Sequence, residues 1–509
     1  MIRRVCLIIP PSVFLLDERV FMSLGILKVA AVLEQNGIIV ELLDLSGVEN
    51  YEEVLSVHLQ SSTAQCFGLT ATTPQMPAAT KIQRTIRLAR PSARVILGGP
   101  HVTLVYAAVK HERKRSIIGR ATRSFKQLSE MFDVLVTGDG ELAVFEALKN
   151  SPPALVDGDN PKSPLFLNTS AIEDLPFPAR HLIDISTYQY SVDGTRALSM
   201  IAQLGCPFGC GFCGGRLSPF LRKVRTRSAH NIVQEMAHLH HTYGVTGFML
   251  YDDELNVNPK MVSLMNLIAD TQTRLGVEFR LRGFIKAELF TDEQAAAMYA
   301  AGFRWILVGF ESGHPRILDN IQKKASQADN TRCMEIARRH GLKVKALMSL
   351  GHPGESEETI RVTRDWLIDI RPDDFDATVI TTYPGTPYFD EALETSPGIW
   401  TYTCPKSKDR LHGIEVDYRH VAEYYKGVPG SYTAFVYTDT LSSEQLVSFR
   451  DWLEADVREK LSIPFNSANP GIRYEHSMGQ SRLPPFILRT SEDVIASTTR
   501  KKIQLLSSG

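Results

Sequence analysis

The sequence predicts an α/β protein with three parts: a doubly wound, Rossmann-like N-terminal sheet, a partial (β/α)6 barrel, and a C-terminal cap. Two series of short apolar runs alternate with helical patterns, and a stretch rich in Pro, Asp and Asn separates them. Near residue 395 the alternation becomes irregular. We therefore place the N-terminal domain at 1–150, a linker at 151–195, the barrel at 196–395 and the cap at 396–509.

The first series contains five apolar runs, which predict strands at Val5–Ile9, Val40–Leu45, Cys66–Thr70, Val95–Leu97 and Val134–Thr137. Between the first two, Leu24–Gln35 carries apolar residues at helical spacing. Such alternation predicts a parallel sheet whose ligands bind outside the carboxyl ends of the strands. Gly98-Gly99 and Gly138-x-Gly140 fall at those ends, where glycines are equally consistent with tight turns.

The second series contains six apolar runs, at Leu198–Leu204, Gly247–Tyr251, Phe279–Gly283, Trp305–Gly309, Lys345–Leu350 and Thr378–Thr381. Helical patterns such as Asn231–His241 separate them. Six β/α units predict an incomplete barrel. Active sites of (β/α) barrels lie at the carboxyl ends of the strands, so the residues that follow each run are the candidates for function.

Charge and hydropathy exclude several classes of function. Lys and Arg number 56 against 57 Asp and Glu, so no global field favours a nucleic-acid or membrane partner. A basic cluster between Lys110 and Lys126 predicts a solvated face, with a patch for an acidic partner as the alternative. Pro10 and Pro11 interrupt the first apolar run, which argues against a signal peptide, and no run approaches the roughly 18 residues of a membrane span. We expect a cytoplasmic protein.

Three of the seven cysteines, Cys206, Cys210 and Cys213, follow the first barrel strand in the segment LGCPFGCGFCGGR. A Cys-x3-Cys-x2-Cys loop rich in glycine allows three thiolates to hold one face of an iron–sulfur cube. Four protein ligands would complete an electron-transfer cluster, whereas three leave one iron open. The alternatives are a structural zinc site, which needs a fourth ligand nearby, or three incidental buried cysteines. The nearest histidine, His230, lies well downstream on a predicted helix.

In this position the motif resembles that of the radical S-adenosylmethionine (SAM) superfamily. The resemblance implies a [4Fe–4S] cluster whose open iron binds the amino and carboxylate groups of SAM. One electron, from a flavodoxin- or ferredoxin-type donor, then splits SAM into methionine and a 5′-deoxyadenosyl radical. The segments MSLGHPGE and TTYPGTPY also resemble the ends of the family's fifth and sixth strands.

The same resemblance implies further contacts to SAM. Asp252, Asp253 and Glu254 stand after the second barrel strand, where the family often has Gly-Gly-Glu; here the carboxylates are present and the glycines are not. Glu311 and Ser312, in VGFESG after the fourth strand, resemble the segment that contacts the ribose. A carboxylate at the end of a strand is also a common helix cap, so each position alone is a weak indication.

The N-terminal segments SLGILKVAAVLEQNG, GLTATT, ILGGPHVT and FDVLVTGDGE resemble the cobalamin-binding domain that precedes the barrel in one radical SAM class. Together the resemblance covers roughly residues 1–395. It implies cobalamin contacts at Thr70, Thr72, Gly99, His101, Gly138 and Glu141. The D-x-H-x-x-G motif that supplies a histidine to cobalt in other proteins is absent, as it generally is in this class. The alternative for His101 is a hydrogen-bonded turn residue.

These resemblances predict a radical SAM enzyme that acts on a small molecule, by cobalamin-dependent methyl transfer to an unactivated carbon. One alternative is a cobalamin-free dehydration, epimerisation or decarboxylation in which the N-terminal domain is only a scaffold. A second is a non-catalytic sensor that binds cobalamin or a metal. The sequence assigns no catalytic residue beyond the cofactor ligands and does not identify the substrate.

Overall fold

The computed structural model describes residues 2–12, 18–422, 432–465, 475 and 483–493. The chain forms two compact units, each with contributions from separate segments. The segments of the first unit are Met1–Gln189, Asp417–Ala422 and Ala468–Gly509. Those of the second unit are Tyr190–Val416 and Glu423–Ser467.

The first unit is built on one seven-stranded sheet. Its strands are β1 (Arg4–Ile9), β2 (Ile39–Asp44), β3 (Cys66–Thr70), β4 (Arg94–Gly98), β5 (Val134–Gly138), β6 (Leu155–Gly158) and, from near the end of the chain, β20 (Leu488–Thr490). They lie in the order β20-β2-β1-β3-β4-β5-β6. Only β20 pairs antiparallel. The predicted doubly wound sheet is therefore present, with its topological switch point between β1 and β3.

The helices of this unit are α1 (Leu24–Gln35), α2 (Tyr51–Ser61), α3 (Met76–Ala89), α4 (Pro100–Lys114), α5 (Arg120–Met131), α6 (Gly140–Ala147) and α7 (Thr169–Glu173). Short 3-10 turns lie at Thr73–Gln75, Arg180–Leu182 and Ile185–Thr187. Apolar strand residues such as Ile8 and Phe67 form a fully buried core with Leu55 of α2 and Ile82 of α3. Removal of these side chains from water is the main source of stability for such a layer.

The first nine strands of the second unit are β7 (Ser191–Val192), β8 (Thr195–Met200), β9 (Gln203–Leu204), β10 (Arg225–Thr226), β11 (Gly247–Leu250), β12 (Arg280–Phe284), β13 (Phe303–Glu311), β14 (Lys343–Leu350) and β15 (Asp374–Val379). Six parallel strands and a short antiparallel edge strand form a curved sheet in the order β15-β14-β13-β12-β11-β8-β7, and β9 pairs with β10 separately. The six parallel strands are those of the predicted partial barrel, which the structure confirms.

The helices of the second unit are α8 (Pro219–Arg222), α9 (Ala229–Tyr243), α10 (Met261–Leu275), α11 (Asp292–Ala300), α12 (Pro315–Ile321), α13 (Gln327–Arg339), α14 (Glu357–Ile370), α15 (Pro387–Asp390) and α16 (Ser443–Leu461). Two 3-10 turns lie at Leu255–Val257 and Ala287–Leu289. Serine caps begin several helices, and Ser442 starts α16 with a capping box. Among the described helices, none combines the length and apolar character needed to cross a membrane.

The structure divides the chain differently from the predicted linker and cap. The predicted linker, 151–195, contributes β6, whose Leu155 is in register with Leu135 of β5. The predicted cap, 396–509, is shared between the units. It supplies β20 to the first sheet and most of an antiparallel sheet to the second, comprising β16 (Leu393–Ser396), β17 (Ile399–Thr403), β18 (Arg410–Ile414) and β19 (Val436–Thr438). These short strands mix polar with apolar residues, so they lack the continuous apolar runs that mark the buried parallel strands.

Candidate active site

The cysteine loop begins directly after β9, beyond the carboxyl end of the first barrel strand. The amide of Cys206 donates to the carbonyl oxygen of Leu221 at 2.9 Å, and that of Cys213 donates to the carbonyl oxygen of Cys210 at 3.2 Å. Gly205 has φ of +85°, and a Cβ at this position would collide with the backbone of Lys223. Only glycine therefore allows the chain to enter the loop along this path.

The far side of the loop is fixed by the loop that follows the sixth strand. Gly211 donates its amide to the carbonyl oxygen of Ile321 at 2.7 Å and accepts from the amide of Tyr388 at 3.1 Å. The ring of Tyr388 fills the space that a side chain at residue 211 would need. Gly215 donates to the carbonyl oxygen of Gly385 at 3.1 Å. The cysteine backbone thus has a defined shape that the protein itself maintains.

The three thiols form an open set rather than a small-ion site. Cys206 and Cys210 are half-buried and Cys213 is exposed. The three sulfurs do not all lie within 4.8 Å of one another. Tetrahedral zinc, with Zn–S of about 2.3 Å, would bring the sulfurs to about 3.8 Å. Burial raises the pKa of Cys206 to about 11 and also raises the pKa of Cys210, which Lys323 partly offsets.

Two of the three carboxylates after β11 have distinct environments. Asp252 accepts the amides of Ala202 and Gln203, the former at 2.7 Å, and so ties the ends of β8 and β11 together. Glu254 Oε2 is buried and has no hydrogen-bond partner among the described residues. Burial raises the pKa of Glu254 to about 7 although Lys323 and Lys286 oppose the shift. Asp253 is exposed. Among the described residues, both Glu254 Oε2 and Asp252 Oδ2 are therefore free acceptors, and Asp252 also braces the sheet through its other oxygen.

Glu311 starts a buried hydrogen-bonded chain. It lies at a β-bulge with φ of +65°. Its Oε1 is 2.8 Å from Lys323 Nζ, and its Oε2 accepts from the Ser349 hydroxyl at 2.7 Å. Burial favours the neutral acid, but the Lys323 ammonium and the Ser349 hydroxyl hold the pKa of Glu311 below its usual value. An ionised Glu311 is thus held in a fixed orientation.

The chain continues to the cysteine loop. Ser349 Oγ lies 2.8 Å from His352 Nε2, and the His352 ring meets the ring of Phe212 edge-on at 5.4 Å. Burial lowers the pKa of His352 to about 4, so the ring is neutral at pH 7. Ser312, beside Glu311, instead contacts the Thr363 hydroxyl at 3.1 Å and accepts the amide of His314. The structure therefore places Ser312 against α14, apart from the Glu311 chain.

In the first unit, the predicted glycines are required by neighbouring backbone. Gly99 has φ of +99°, and a Cβ there would lie 2.7 Å from Thr70 Oγ1 and 2.8 Å from the amide of Ala71. A Cβ at Gly138, which has φ of +73°, would collide with Gly158. These contacts explain both glycines without any ligand. Thr72 is exposed, and its side chain caps the short helical turn that follows β3.

The remaining predicted residues of this edge are already engaged. His101 is buried, its Nδ1 lies 3.1 Å from Thr73 Oγ1, and its ring meets that of Tyr418 at 6.3 Å. Burial lowers the pKa of His101 to about 4. Glu141 lies 3.8 Å from Lys28 Nζ. His101 is thus hydrogen-bonded, as in the alternative interpretation, but it lies in the first turn of α4 rather than in a loop turn.

The only tight trio of potential metal ligands among the described residues lies elsewhere in the first unit, at Cys6, Glu41 and His58. His58 Nε2 is 3.5 Å from Cys6 Sγ and 3.1 Å from Glu41 Oε2. Glu41 also accepts from Arg4 at 3.0 Å and from Ser62 at 2.7 Å. These contacts form a hydrogen-bonded network that satisfies a carboxylate in the core.

Comparison with known families agrees with both units. The family model for the B12 binding domain matches residues 18–129, and that for the Radical SAM superfamily matches residues 200–367. The chain joins a B12-binding domain to a radical SAM domain. The cysteine loop, Glu254 and Glu311 lie in the radical SAM domain, and Thr70, Thr72, Gly99 and His101 lie in the B12-binding domain.

Several curated proteins are similar to this chain. An uncharacterized methyltransferase, PH0819, of Pyrococcus horikoshii is 27% identical over 64% of this chain and 69% of its own length. The anaerobic magnesium-protoporphyrin IX monomethyl ester cyclase of Cereibacter sphaeroides is 25% identical over 67% of this chain, but only 55% of its own length is covered. The chain thus spans about half to two thirds of these relatives.

Among solved structures, the radical SAM methyltransferase TsrM of Kitasatospora setae, determined with cobalamin and a [4Fe–4S] cluster, is similar with a TM-score of 0.60. The two chains are 20% identical, and the match covers 80% of this chain and 81% of that one. The likeness shows a common fold.

Sequence reasoning missed two buried lysines of the radical SAM domain, Lys286 and Lys323. Lys323 pairs with Glu311, and Lys286 lies over an aromatic ring of the cysteine loop. Both follow a helix or strand by two residues, where lysines are common on any surface, and Lys323 is followed directly by a second lysine, Lys324. The only signal was the isolation of Lys286 in the apolar segment GFIKAELF.

Proposed function

We propose that this protein is a cobalamin-dependent radical SAM enzyme that transfers a methyl group to an unactivated carbon of a small molecule. The observation that carries the proposal is the open set of three thiols beside a buried, unpartnered carboxylate oxygen, in a chain that also has a B12-binding domain. When bound, the cluster, SAM and cobalamin supply the radical and methyl-transfer chemistry. The protein supplies ligands, orientation and exclusion of water.

The residues present fit a cluster and SAM. Cys206, Cys210 and Cys213 would hold three irons and leave the fourth open. Glu254 Oε2, which is buried and unpartnered among the described residues, would accept from the ammonium of SAM. Glu311 keeps unused lone pairs beside Lys323 and Ser349, and these would accept from the ribose hydroxyls.

The first unit also fits its cofactor. The turns after β3, β4 and β5 meet at the carboxyl edge of the sheet, and their residues there are small: Ala71, Thr72, Gly99 and Gly138. A large flat ligand needs such an edge, because long side chains would hold it away from the backbone. His101 is buried at 1% exposure and packs against Tyr418, so it would support this edge from within the unit rather than coordinate cobalt.

The proposal is tested with protein purified anaerobically from cells supplied with cobalamin. We expect about four irons per chain, a corrin absorbance spectrum and release of 5′-deoxyadenosine when SAM and a reductant, or a flavodoxin- or ferredoxin-type donor, are added. SAM labelled in its methyl group is then incubated with the protein and a small-molecule extract. A product that carries the label supports methyl transfer, and unlabelled products with 5′-deoxyadenosine contradict it.

One observation favours a second candidate. The Cereibacter sphaeroides relative is named as a cyclase, so a similar chain is associated with chemistry other than methylation. Dehydration, epimerisation or decarboxylation would release 5′-deoxyadenosine and leave the product without label. A non-catalytic sensor would release no 5′-deoxyadenosine at all. The same experiment therefore separates the three functions.

A further inference from the structure

Lys286 follows β12 by two residues and contacts the cysteine loop. Its side chain is almost fully buried, at 1% exposure. The ammonium lies 4.2 Å from the centre of the Phe208 ring. Phe208 stands between Cys206 and Cys210, so this contact joins the third barrel strand to the backbone that carries two of the thiols.

The surroundings of Lys286 fix its position. The side chain of Asn256 donates to the Lys286 carbonyl oxygen at 2.9 Å and accepts from the Lys286 amide at 2.8 Å. The ammonium donates to the carbonyl oxygen of Lys323 at 2.8 Å and forms an ion pair with Glu288. A buried ammonium persists only when such partners replace water. These contacts therefore hold the Lys286 ammonium in one position.

We propose that Lys286 positions the cysteine loop through Phe208 and, by its charge, makes the cluster easier to reduce. This inference rests on the proposed function only in requiring that the thiols hold a cluster. A positive charge near a cluster stabilises the added electron, and the charge and burial around a cluster set its potential. A cation above the face of an aromatic ring is also attracted by the ring, the more so away from water.

One further observation agrees with this role. Glu288 carries the opposite charge at the same place, and its Oε2 is buried without a hydrogen-bond partner among the described residues. Removing the charge of Lys286 or that of Glu288 should therefore shift the reduction potential of the cluster in opposite directions.

The experiment is a redox titration of the anaerobically reconstituted full chain, followed by electron paramagnetic resonance of the reduced cluster. Lys286→Met keeps the length of the side chain and removes the charge. We expect it to lower the equilibrium constant for reduction roughly tenfold, as for a unit charge about 10 Å away at an effective dielectric constant of about 20. For a one-electron couple this corresponds to about 59 mV. Glu288→Gln should shift the potential upward, and Lys286→Arg should leave it near that of the wild type.

The positioning role has its own measurement. Loss of iron to a chelator should be faster in Lys286→Met and in Phe208→Leu, and the double variant should be no faster than the faster single variant, because both remove the same contact.

Equal potentials in wild type, Lys286→Met and Glu288→Gln would overturn the inference, as would shifts of the same sign in both variants. Weaker SAM binding at unchanged potential would show that Lys286 serves SAM instead. If Lys286→Met assembles no cluster, the potential of Glu288→Gln relative to the wild type tests the inference by itself. A wild-type chain without a cluster would instead contradict the proposed function.

Discussion

The carboxyl edges of the two sheets hold different kinds of residues. The radical SAM domain places buried, charged side chains at its edge, among them Glu254, Glu311, Lys286 and Lys323. In the first unit, the loops after β3 and β4 place small or neutral residues there, such as Thr72 and an uncharged His101, and the buried Glu141 at the start of α6 lies 3.8 Å from Lys28 Nζ. Buried charges need partners, whereas small neutral residues leave a smooth surface. The first edge thus suits small charged ligands, and the second suits one large flat ligand.

Glycines do not make this distinction. Gly205 in the cysteine loop and Gly99 in the B12-binding domain both have positive φ, and both lie against neighbouring backbone of their own unit. Each is explained by the fold before any ligand is considered. The difference between the edges lies in the charged side chains and in the atoms they leave without partners. Substitutions of these side chains, rather than of glycines, therefore test the difference between the edges.

The largest effect is expected from the thiols. Replacing Cys206, Cys210 or Cys213 with Ala should abolish the cluster, because two remaining thiolates hold too little of the cube. Iron and sulfide analysis after anaerobic reconstitution measures this. Cys333→Ala is the matched control, since Cys333 is fully buried in α13. A cluster that survives in any of the three variants would remove the thiols from the site.

A smaller effect is expected at Glu254. Glu254→Gln should weaken SAM binding by roughly one to two orders of magnitude, because a charge-assisted hydrogen bond contributes about 1.5–3 kcal/mol. Iron content should not change. Equilibrium binding of SAM to the reconstituted protein gives the comparison, with the exposed Glu278→Gln as control. Equal affinities in both variants would show that the free oxygen of Glu254 does not bind SAM.

In the B12-binding domain, a bulky side chain at the carboxyl edge of the sheet is expected to exclude the corrin sterically. Thr72→Trp places a large side chain on the exposed loop after β3 and should lower corrin content about tenfold, the effect of about 1.4 kcal/mol, with iron unchanged. Gly99→Trp is a poorer probe, because even a Cβ there meets Thr70. Leu88→Trp, at the far end of α3, is the control. Full corrin content in Thr72→Trp would place the ligand elsewhere.

The smallest effect concerns the pH dependence of stability. The folded chain lowers the pKa of His101 to about 4, below its unfolded value of about 6.5. The unfolded state therefore binds more protons between these values, and stability falls as pH falls from 6.5 towards 4. At pH 5.5 the loss should be about 1 kcal/mol. His101→Gln should show a shallower decline in the free energy of unfolding. An unchanged slope would contradict the burial of a neutral ring.

Much of the fold follows from the sequence because buried parallel strands are continuous apolar runs. The predicted strand Cys66–Thr70 is β3, and Gly247–Tyr251 exceeds β11 by one residue. The missed strands of the first sheet, β6 and β20, have four and three residues and are held by pairing with β5 and β2. No local pattern contains that information.

The site was only partly predictable for a similar reason. The thiol spacing and the carboxylates at the strand ends are local features of the sequence, and they predicted a radical SAM site at the carboxyl edge of the barrel sheet. That Asp252 braces the sheet depends on amides donated by Ala202 and Gln203, which lie 50 and 49 residues away in the sequence. The position of Lys286 over Phe208 likewise depends on two segments 78 residues apart in the sequence, from 208 to 286. Such pairings exist only in the folded chain.

The most direct test of the central claim is the amount of 5′-deoxyadenosine formed when the anaerobically reconstituted protein is reduced in the presence of SAM. We expect the wild type to form it and Cys210→Ala, prepared identically, to form none. Because every proposed cofactor contact at the charged edge serves this step, no substrate is needed for the measurement. A wild-type protein that contains about four irons, binds SAM and yet forms no 5′-deoxyadenosine on reduction would contradict the account.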